Sequence, residues 1–204
     1  MTRQQFAVMV PVKPPALGKS RLVGLPDVRR RALAAAFALD TVAACLAAER
    51  VGAVLAVTDD ATFSVELARL GCPAIPDGVA GDLNGSLRQA AAETRRRWPD
   101  LVPVALCADL PALRPTELDE ALASAVSGVP SFVADASGSG TTLYTAPYDA
   151  FDPRFGASSR EAHLDADAVE LSGALASLRR DVDDVDDLVA ATALGLGRHT
   201  AALM

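Results

Sequence analysis

The sequence predicts an α/β fold with a mostly parallel central sheet and helices on both faces. The chain has 204 residues, 50% of them hydrophobic and 22% charged, which is enough to bury one sizeable core. Short apolar runs indicate buried strands, and segments with helical periodicity lie between them. Strands that alternate with helices form βαβ units, in which the strands run parallel. No linker-like stretch divides the chain, so we expect one domain over residues 1–204.

The strands are predicted from continuous apolar runs. Residues 6–12 are rich in valine, which is typical of a strand buried on both faces. Residues 53–58 and 102–107 repeat this pattern, and each run leads into aspartate. Shorter strands are expected at residues 73–75, 131–134 and 142–146.

The helices are predicted where apolar residues recur at helical spacing. Leu39, Val42 and Leu46 indicate a helix over residues 27–50, with Asp27 as its N-cap. Thr116 and Asp119 have the spacing of a capping box that opens a further helix. The other expected elements are helices at residues 62–70, 87–97, 116–126 and 185–194, a short helix near 159–167, and a Gly/Asp loop over 77–85.

The first loop after a strand holds both lysines of the chain, Lys13 and Lys19, followed by Arg21. Gly18-Lys19-Ser20 resembles the end of a P-loop, but that motif needs another glycine at the position of Lys13. Three cations in one loop can hold a triphosphate by charge. A solvated basic turn remains the alternative.

Three aspartates are candidate metal ligands. Asp109 follows an apolar strand, and ligands of parallel sheets gather at the carboxyl ends of strands. Asp181 and Asp183 share one face if the backbone is extended, and two such carboxylates repel unless a cation joins them. Asp109 is otherwise a turn or helix-capping residue. The aspartates at positions 184, 186 and 187 are more simply explained as solvated residues of a first helical turn.

Composition excludes several classes of protein. The net charge of −7 and the pI of about 4.8 argue against binding to nucleic acid. Cys45, Cys72 and Cys107 form no metal-binding spacing, so we expect reduced core thiols and a cytoplasmic location. No apolar run reaches the length of a membrane span. The chain has neither the dinucleotide-binding glycine motif nor a serine-hydrolase elbow, and His163 and His199 form no metal-binding pair.

Seven motifs in order carry a resemblance that covers essentially the whole chain. They are Pro11-Val-Lys13, Gly18-Lys-Ser-Arg-Leu22, Leu83-Asn-Gly85, Ala108-Asp-Leu-Pro111, Gly138-Ser-Gly-Thr-Thr142, Arg154-Phe-Gly156 with Ser159 and His163, and Asp181-Val-Asp183. This series resembles the phosphoenolpyruvate/2-phospho-L-lactate guanylyltransferase family of coenzyme F-420 biosynthesis. The chain departs from the family pattern at residues 138–140, where many relatives have Gly-Gly-Thr, and at Ser20, where threonine is commoner.

The resemblance implies a fold and a set of site residues. The fold would be a single-domain nucleotidyltransferase of the GT-A-like, Rossmann-like kind, with Mg²⁺ held by Asp109, Asp181 and Asp183. The phospho-acid substrate would contact Lys13, Thr141, Gly156 and Ser159. The triphosphate would face Lys19 and Arg21, while Asn84 and Gly85 would lie near the nucleotide or the acceptor. His163 would orient the loop that carries Ser159.

The resemblance also implies the reaction. GMP would pass from GTP to phosphoenolpyruvate, with release of pyrophosphate and formation of enolpyruvyl-diphospho-guanosine. Phosphoenolpyruvate is favoured over 2-phospho-L-lactate because the Ala/Arg-rich composition resembles the high-GC bacterial branch. The alternatives are a sister nucleotidyltransferase of the molybdopterin or cobamide type, and a nucleotide-binding module without catalysis. A homodimer is left open.

Overall fold

The computed structural model of the chain describes residues 4–12, 22, 25–79 and 81–204. Within these residues the strands form one sheet. In chain order the strands are β1 (Phe6–Pro11), β2 (Val51–Val57), β3 (Ala74–Ile75), β4 (Val102–Leu106), β5 (Ser131–Ala134), β6 (Thr141–Thr145) and β7 (Val169–Glu170). The helices are α1 (Asp27–Ala47), α2 (Ala61–Arg69), α3 (Leu83–Arg97), α4 (Pro115–Ser124), α5 (Ser159–Leu164), α6 (Ala176–Arg179), α7 (Val185–Leu194) and α8 (Arg198–Ala201), with a 3-10 helix at Tyr148–Ala150.

The sheet order is β3-β2-β1-β4-β6-β5-β7. β1 pairs in parallel with β2 and β4, β3 extends this parallel part, and β5 pairs in parallel with β7. Only β6 is reversed, since it is antiparallel to both β4 and β5. The predicted mostly parallel sheet is therefore confirmed.

Both faces of the sheet are covered, as predicted. One face packs against α1, α2 and α4 through residues such as Val42, Leu67 and Leu118. The other face packs against α3 through Leu87 and Ala90. The central strand β1 is buried along its apolar run, which explains why its sequence does not alternate between apolar and polar residues.

One edge of the sheet collects the residues of interest. Strands β2, β4 and β5 end at this edge, and the reversed strand β6 begins there. Asp59 and Asp60 follow β2, Asp109 follows β4, and Thr141 opens β6. Asp59, Asp60 and Asp109 therefore lie at one edge of the sheet, where ligands of parallel sheets gather. The predicted loop at 13–21 lies outside the described residues.

Two predictions of helix starts are wrong. The helix predicted over 87–97 begins at Leu83, because Asp82 caps it by accepting a hydrogen bond from the Gly85 N–H at 2.9 Å. Asp27 is not an N-cap but the first residue of α1, behind Pro26.

The predicted capping box at residues 116 and 119 is also wrong. α4 begins at Pro115, whose fixed backbone suits the first helical position. The Asp119 carboxylate instead accepts hydrogen bonds from the backbone N–H groups of Glu49 and Arg50 at 2.9 and 2.7 Å. Asp119 therefore fixes the turn between α1 and β2 rather than its own helix.

The predicted burial of the thiols holds for two of the three. Cys45 and Cys72 are buried and Cys107 is half-buried, and all three are free thiols. None of the helices in the described residues combines the length and the apolar character that a bilayer span requires.

Candidate active site

Two chain segments bring the predicted metal-binding aspartates to the same edge of the sheet. Asp109 stands three residues beyond β4, and its backbone carbonyl accepts a hydrogen bond from the Val182 N–H at 3.0 Å. Val182 is fully buried, whereas Asp181 and Asp183 on either side of it are half-buried. This burial pattern agrees with two carboxylates on one side of an extended backbone. We call Asp109 and residues 181–183 the acidic rim.

The backbone of the acidic rim is anchored on both sides. Before it, the Arg179 guanidinium donates to the carbonyls of Ala134 and Leu171, each at 3.0 Å. After it, the Asp187 carboxylate accepts from the Asp183 N–H at 3.2 Å and from the Arg180 guanidinium at 2.9 Å. Asp187 lies in the first turn of α7, as predicted, but it is half-buried rather than fully solvated. Its carboxylate instead joins the start of α7 to the acidic rim.

The carboxylates of the acidic rim do not form a metal-binding group in the described residues. Among the described residues, no group of three or more His, Cys, Asp or Glu side chains lies close enough together to hold a metal ion. Aspartate oxygens are the donors that Mg²⁺ prefers, so the chemistry of the donor set fits the ion. The structure joins the two segments through the backbone hydrogen bond between Asp109 and Val182.

A second group of predicted residues surrounds His163. The ring is fully buried, stacks on Tyr144 and Phe132 at 4.7 and 5.3 Å, and meets Phe155 edge-on at 5.7 Å. Its Nε2 atom accepts a hydrogen bond from the Arg154 N–H at 3.0 Å, so Nε2 carries no proton. The neutral ring therefore has its proton on Nδ1, which donates to the Thr141 hydroxyl oxygen at 3.1 Å.

The buried position of His163 keeps the ring neutral. Loss of hydration lowers its pKa to about 4, and this effect outweighs the backbone carbonyl of Ser159, which raises the pKa. At pH 7 the ring cannot serve as an acid, and both of its nitrogens are engaged. His163 therefore stabilises the structure of the site and does not transfer a proton.

Three residues that were predicted to contact the phospho-acid are gathered near this ring. Thr141 is 5% exposed and bonded to it, and Ser159, 2% exposed, opens the helix that carries His163. Gly156 follows two residues after Arg154 and has a φ of 144°, a backbone conformation that side chains rarely adopt. We call residues 154–159, which contain this glycine, the acceptor loop.

Asn84 lies in the first turn of α3 and contacts the acceptor loop. Its Nδ2 donates to the Phe155 carbonyl at 2.9 Å, and its Oδ1 accepts from the Phe155 N–H at 2.8 Å. Both ends of the amide are thus used by one residue of the loop. Sequence reasoning predicted a nucleotide or acceptor nearby but missed this pair, because nothing local in the sequence links two residues 71 positions apart.

Gly85 has a structural reason to be glycine. A Cβ atom at this position would lie 2.5 Å from the Asp82 carboxylate, which caps α3. The signal was present in the sequence, because an aspartate three residues before a helical position is a common cap. The remaining predicted site residues, Lys13, Lys19 and Arg21, lie outside the described residues.

Solved structures with the same fold are found among the nucleotidyltransferases. The chain superposes on a nucleotidyl transferase from Methanothermobacter thermautotrophicus with a TM-score of 0.60 and 17% identity, over 91% of this chain and 94% of the other. It also superposes on Rv0371c from Mycobacterium tuberculosis, determined in complex with manganese, with a TM-score of 0.56 and 21% identity over 93% and 98% of the two chains. The fold is that of the nucleotidyltransferases.

The particular family follows from sequence. The model of the family described as "Guanylyl transferase CofC like" matches residues 6–203, so the chain belongs to this family. Several curated relatives are named phosphoenolpyruvate guanylyltransferase. The one from Streptomyces scabiei is 49% identical over 205 residues, which cover 97% of this chain and 95% of the relative. The family that the seven motifs indicate is confirmed.

Proposed function

We propose that this chain, as one nucleotidyltransferase domain over residues 1–204, transfers GMP from GTP to phosphoenolpyruvate. Pyrophosphate leaves, and the product is enolpyruvyl-diphospho-guanosine, a precursor for coenzyme F-420. The observation that carries the proposal is the full-length similarity to relatives that bear this activity in their names. GTP and reduced thiols are both maintained in the cytoplasm, where we expect the reaction to take place.

The proposed chemistry is dominated by charge. An oxygen of the acceptor phosphate attacks the α-phosphorus of GTP in line, and the bond to pyrophosphate breaks. The attacking oxygen is already an anion at pH 7, so no general base is needed, in keeping with the neutral, fully bonded His163. The chain itself has a net charge of −7, so local cations must offset the repulsion between the two substrates.

Nine of the eleven predicted site residues, all except Asn84 and Gly85, then have a direct role. Lys13, Thr141, Gly156 and Ser159 hold the phospho-acid, and Lys19 and Arg21 face the triphosphate of GTP. Asp109, Asp181 and Asp183 hold Mg²⁺, which when bound neutralises charge on the phosphates. Because the three carboxylates form no metal-binding group in the described residues, this assignment requires their side chains to be drawn into one group as the ion and GTP bind.

Release of pyrophosphate from GTP and phosphoenolpyruvate tests the proposal. We expect turnover with Mg²⁺ and GTP, and little with ATP, CTP or UTP. A nucleotide-binding module would bind GTP and release nothing. A sister enzyme would release pyrophosphate only with another nucleotide or with a molybdopterin or cobamide acceptor. Either result would contradict the proposal.

The choice of acceptor is tested by competition between phosphoenolpyruvate and 2-phospho-L-lactate. The two acids differ at one carbon, planar in the first and tetrahedral in the second. A difference of that size in a packed pocket changes kcat/KM by about 10- to 100-fold. We expect phosphoenolpyruvate to be preferred. A higher kcat/KM for 2-phospho-L-lactate would change the acceptor and leave the guanylyltransferase assignment standing.

A further inference from the structure

We propose that Asn84 and His163 are positioning residues that together hold the acceptor loop and Thr141 in the conformation that binds the phospho-acid. This inference rests on the proposed function, since it assigns the loop to the acceptor. Neither residue would touch the substrate. Each would act through the groups that it holds, and the two would act on the same segment.

Two side chains, His163 and Asn84, hold consecutive residues of the acceptor loop by hydrogen bonds, and we call these two sets of bonds the clamps. The Arg154 N–H is held by His163 Nε2, and the N–H and carbonyl of Phe155 are held by the Asn84 amide. Gly156 follows directly, and its φ of 144° makes the backbone turn there. The loop thus enters its turn from two residues whose backbone groups are fixed by distant side chains.

The tautomer of His163 also determines how the Thr141 hydroxyl is hydrogen-bonded. Because Nε2 accepts from Arg154, the ring proton must lie on Nδ1 and point at the Thr141 oxygen. A hydroxyl oxygen that accepts a hydrogen bond keeps its own proton for another partner. An anionic carboxylate or phosphate needs donors of this kind, so His163 turns Thr141 into a donor for the acceptor substrate.

The two clamps come from different helices. Asn84 belongs to the first turn of α3, whereas His163 belongs to α5. Their hydrogen bonds go to different residues of the loop, Phe155 and Arg154. Phe155 contributes to both, since its backbone meets Asn84 and its ring meets His163 edge-on at 5.7 Å. Loss of either clamp should therefore loosen the same residues.

Three variants and a double variant test the idea by steady-state kinetics. Asn84→Ala removes both hydrogen bonds to Phe155. Asn84→Asp keeps an oxygen that accepts from the Phe155 N–H but places a second, negatively charged oxygen next to the Phe155 carbonyl. His163→Phe keeps an aromatic ring between Tyr144 and Phe132 and removes both hydrogen bonds. We expect Asn84→Ala and His163→Phe each to raise the KM for phosphoenolpyruvate about tenfold, the scale of one or two net hydrogen bonds, and Asn84→Asp to lie between wild type and Asn84→Ala. The Kd for GTP should stay within about twofold.

The double variant separates shared from independent action. Because both side chains hold one segment, Asn84→Ala with His163→Phe should raise the KM for phosphoenolpyruvate by much less than the product of the single effects. Gln89→Ala, a loss of an exposed amide on the same helix, is the matched control and should leave both constants unchanged. Multiplicative effects, or equal changes for GTP and phosphoenolpyruvate, would overturn the proposal.

A second readout needs no activity. Arg154 is exposed, and trypsin cuts after arginine, so the rate of cleavage between residues 154 and 155 reports the order of the loop. The clamp variants should be cut about tenfold faster than wild type and Gln89→Ala. If wild type has no activity with phosphoenolpyruvate but the variants are cut faster, the proposed function fails while the clamps stand. Unchanged cleavage in variants that remain folded would refute the clamps themselves.

Discussion

The acceptor loop and the acidic rim lie at the same edge of the sheet but are held in different ways. In the acceptor loop, side chains fix the backbone: His163 and Asn84 hold successive residues, and aromatic rings pack around the histidine. In the acidic rim, backbone and flanking groups fix the chain, through the bond between Val182 and Asp109 and the contacts of Arg179 and Asp187. The carboxylates of Asp109, Asp181 and Asp183 form no metal-binding group in the described residues.

The difference indicates that the two parts of the site differ in preorganisation. A loop that is already bonded loses little conformational entropy when its ligand binds. Three carboxylates brought close together without a cation would repel one another, which raises the free energy of the empty protein. Under the proposed function, the phospho-acid would meet a formed surface, whereas the three carboxylates would be drawn into one group only when a metal ion binds.

The largest effect should follow removal of a charge from the acidic rim. Asp109→Asn and Asp181→Asn should leave the fold intact and lower turnover by about 10²-fold or more, if each ligand supports several kcal/mol of transition-state charge. The measurement is pyrophosphate release under saturating Mg²⁺. Asp186→Asn, on an exposed position of α7, is the matched control and should retain wild-type turnover. Near-normal turnover in Asp109→Asn would remove the metal assignment.

The next effect concerns His163, which holds the acceptor loop: it should make the free energy of unfolding depend on pH. The pKa of His163 is lowered to about 4 from its usual 6.5, mainly because burial disfavours the charged ring. Above pH 6.5 the ring is neutral in both states, but below it the unfolded chain binds a proton that the folded chain does not. The ring therefore lowers the free energy of unfolding as pH falls, by about 1.5 kcal/mol between pH 6.5 and 5.

Urea unfolding across this pH range measures the effect. The difference in free energy of unfolding between wild type and His163→Phe should shift in favour of the variant as pH falls from 6.5 towards 4. Gln89→Ala, which changes no titratable group, is the control and should keep the wild-type slope. Parallel curves for wild type and His163→Phe would show that the ring is protonated as easily in the folded chain as in the unfolded one.

These two regions also show what the sequence can predict. The position of the acidic rim follows from a local signal, since an apolar strand that ends in aspartate places a carboxylate at the sheet edge. The clamps of the acceptor loop have no such signal, because Asn84 and Phe155 meet only after the sheet has formed. The same limit explains Asp119, whose spacing suggests a cap but whose carboxylate binds residues about 70 positions away. Local patterns predict elements, and they do not predict which side chain satisfies a distant backbone group.

Substitution of Lys13 and Lys19, between β1 and α1, tests which substrate each lysine binds. Lys19→Ala should raise the KM for GTP about tenfold and leave the KM for phosphoenolpyruvate nearly unchanged, because an ammonium contributes one charge-assisted contact to the triphosphate. Lys13→Ala should raise the KM for phosphoenolpyruvate as well. Both constants come from initial rates of pyrophosphate release. If both variants bind GTP and acceptor as wild type does, the loop is only a solvated basic turn.

The smallest effect should come from Asp187, which supports the acidic rim from outside. Its two carboxylate oxygens accept from the Asp183 N–H and from Arg180, and an amide has only one oxygen for these two donors. Asp187→Asn should therefore leave one donor without its partner and lower kcat about threefold, through misplacement of Asp183 rather than loss of a ligand. A shift of the Mg²⁺ concentration at half-maximal rate, with the KM for phosphoenolpyruvate unchanged, would localise the defect to the acidic rim. Because the acceptor loop is held by separate contacts, a change in the KM for phosphoenolpyruvate in this variant would show that the two regions are coupled, contrary to the difference in how they are held.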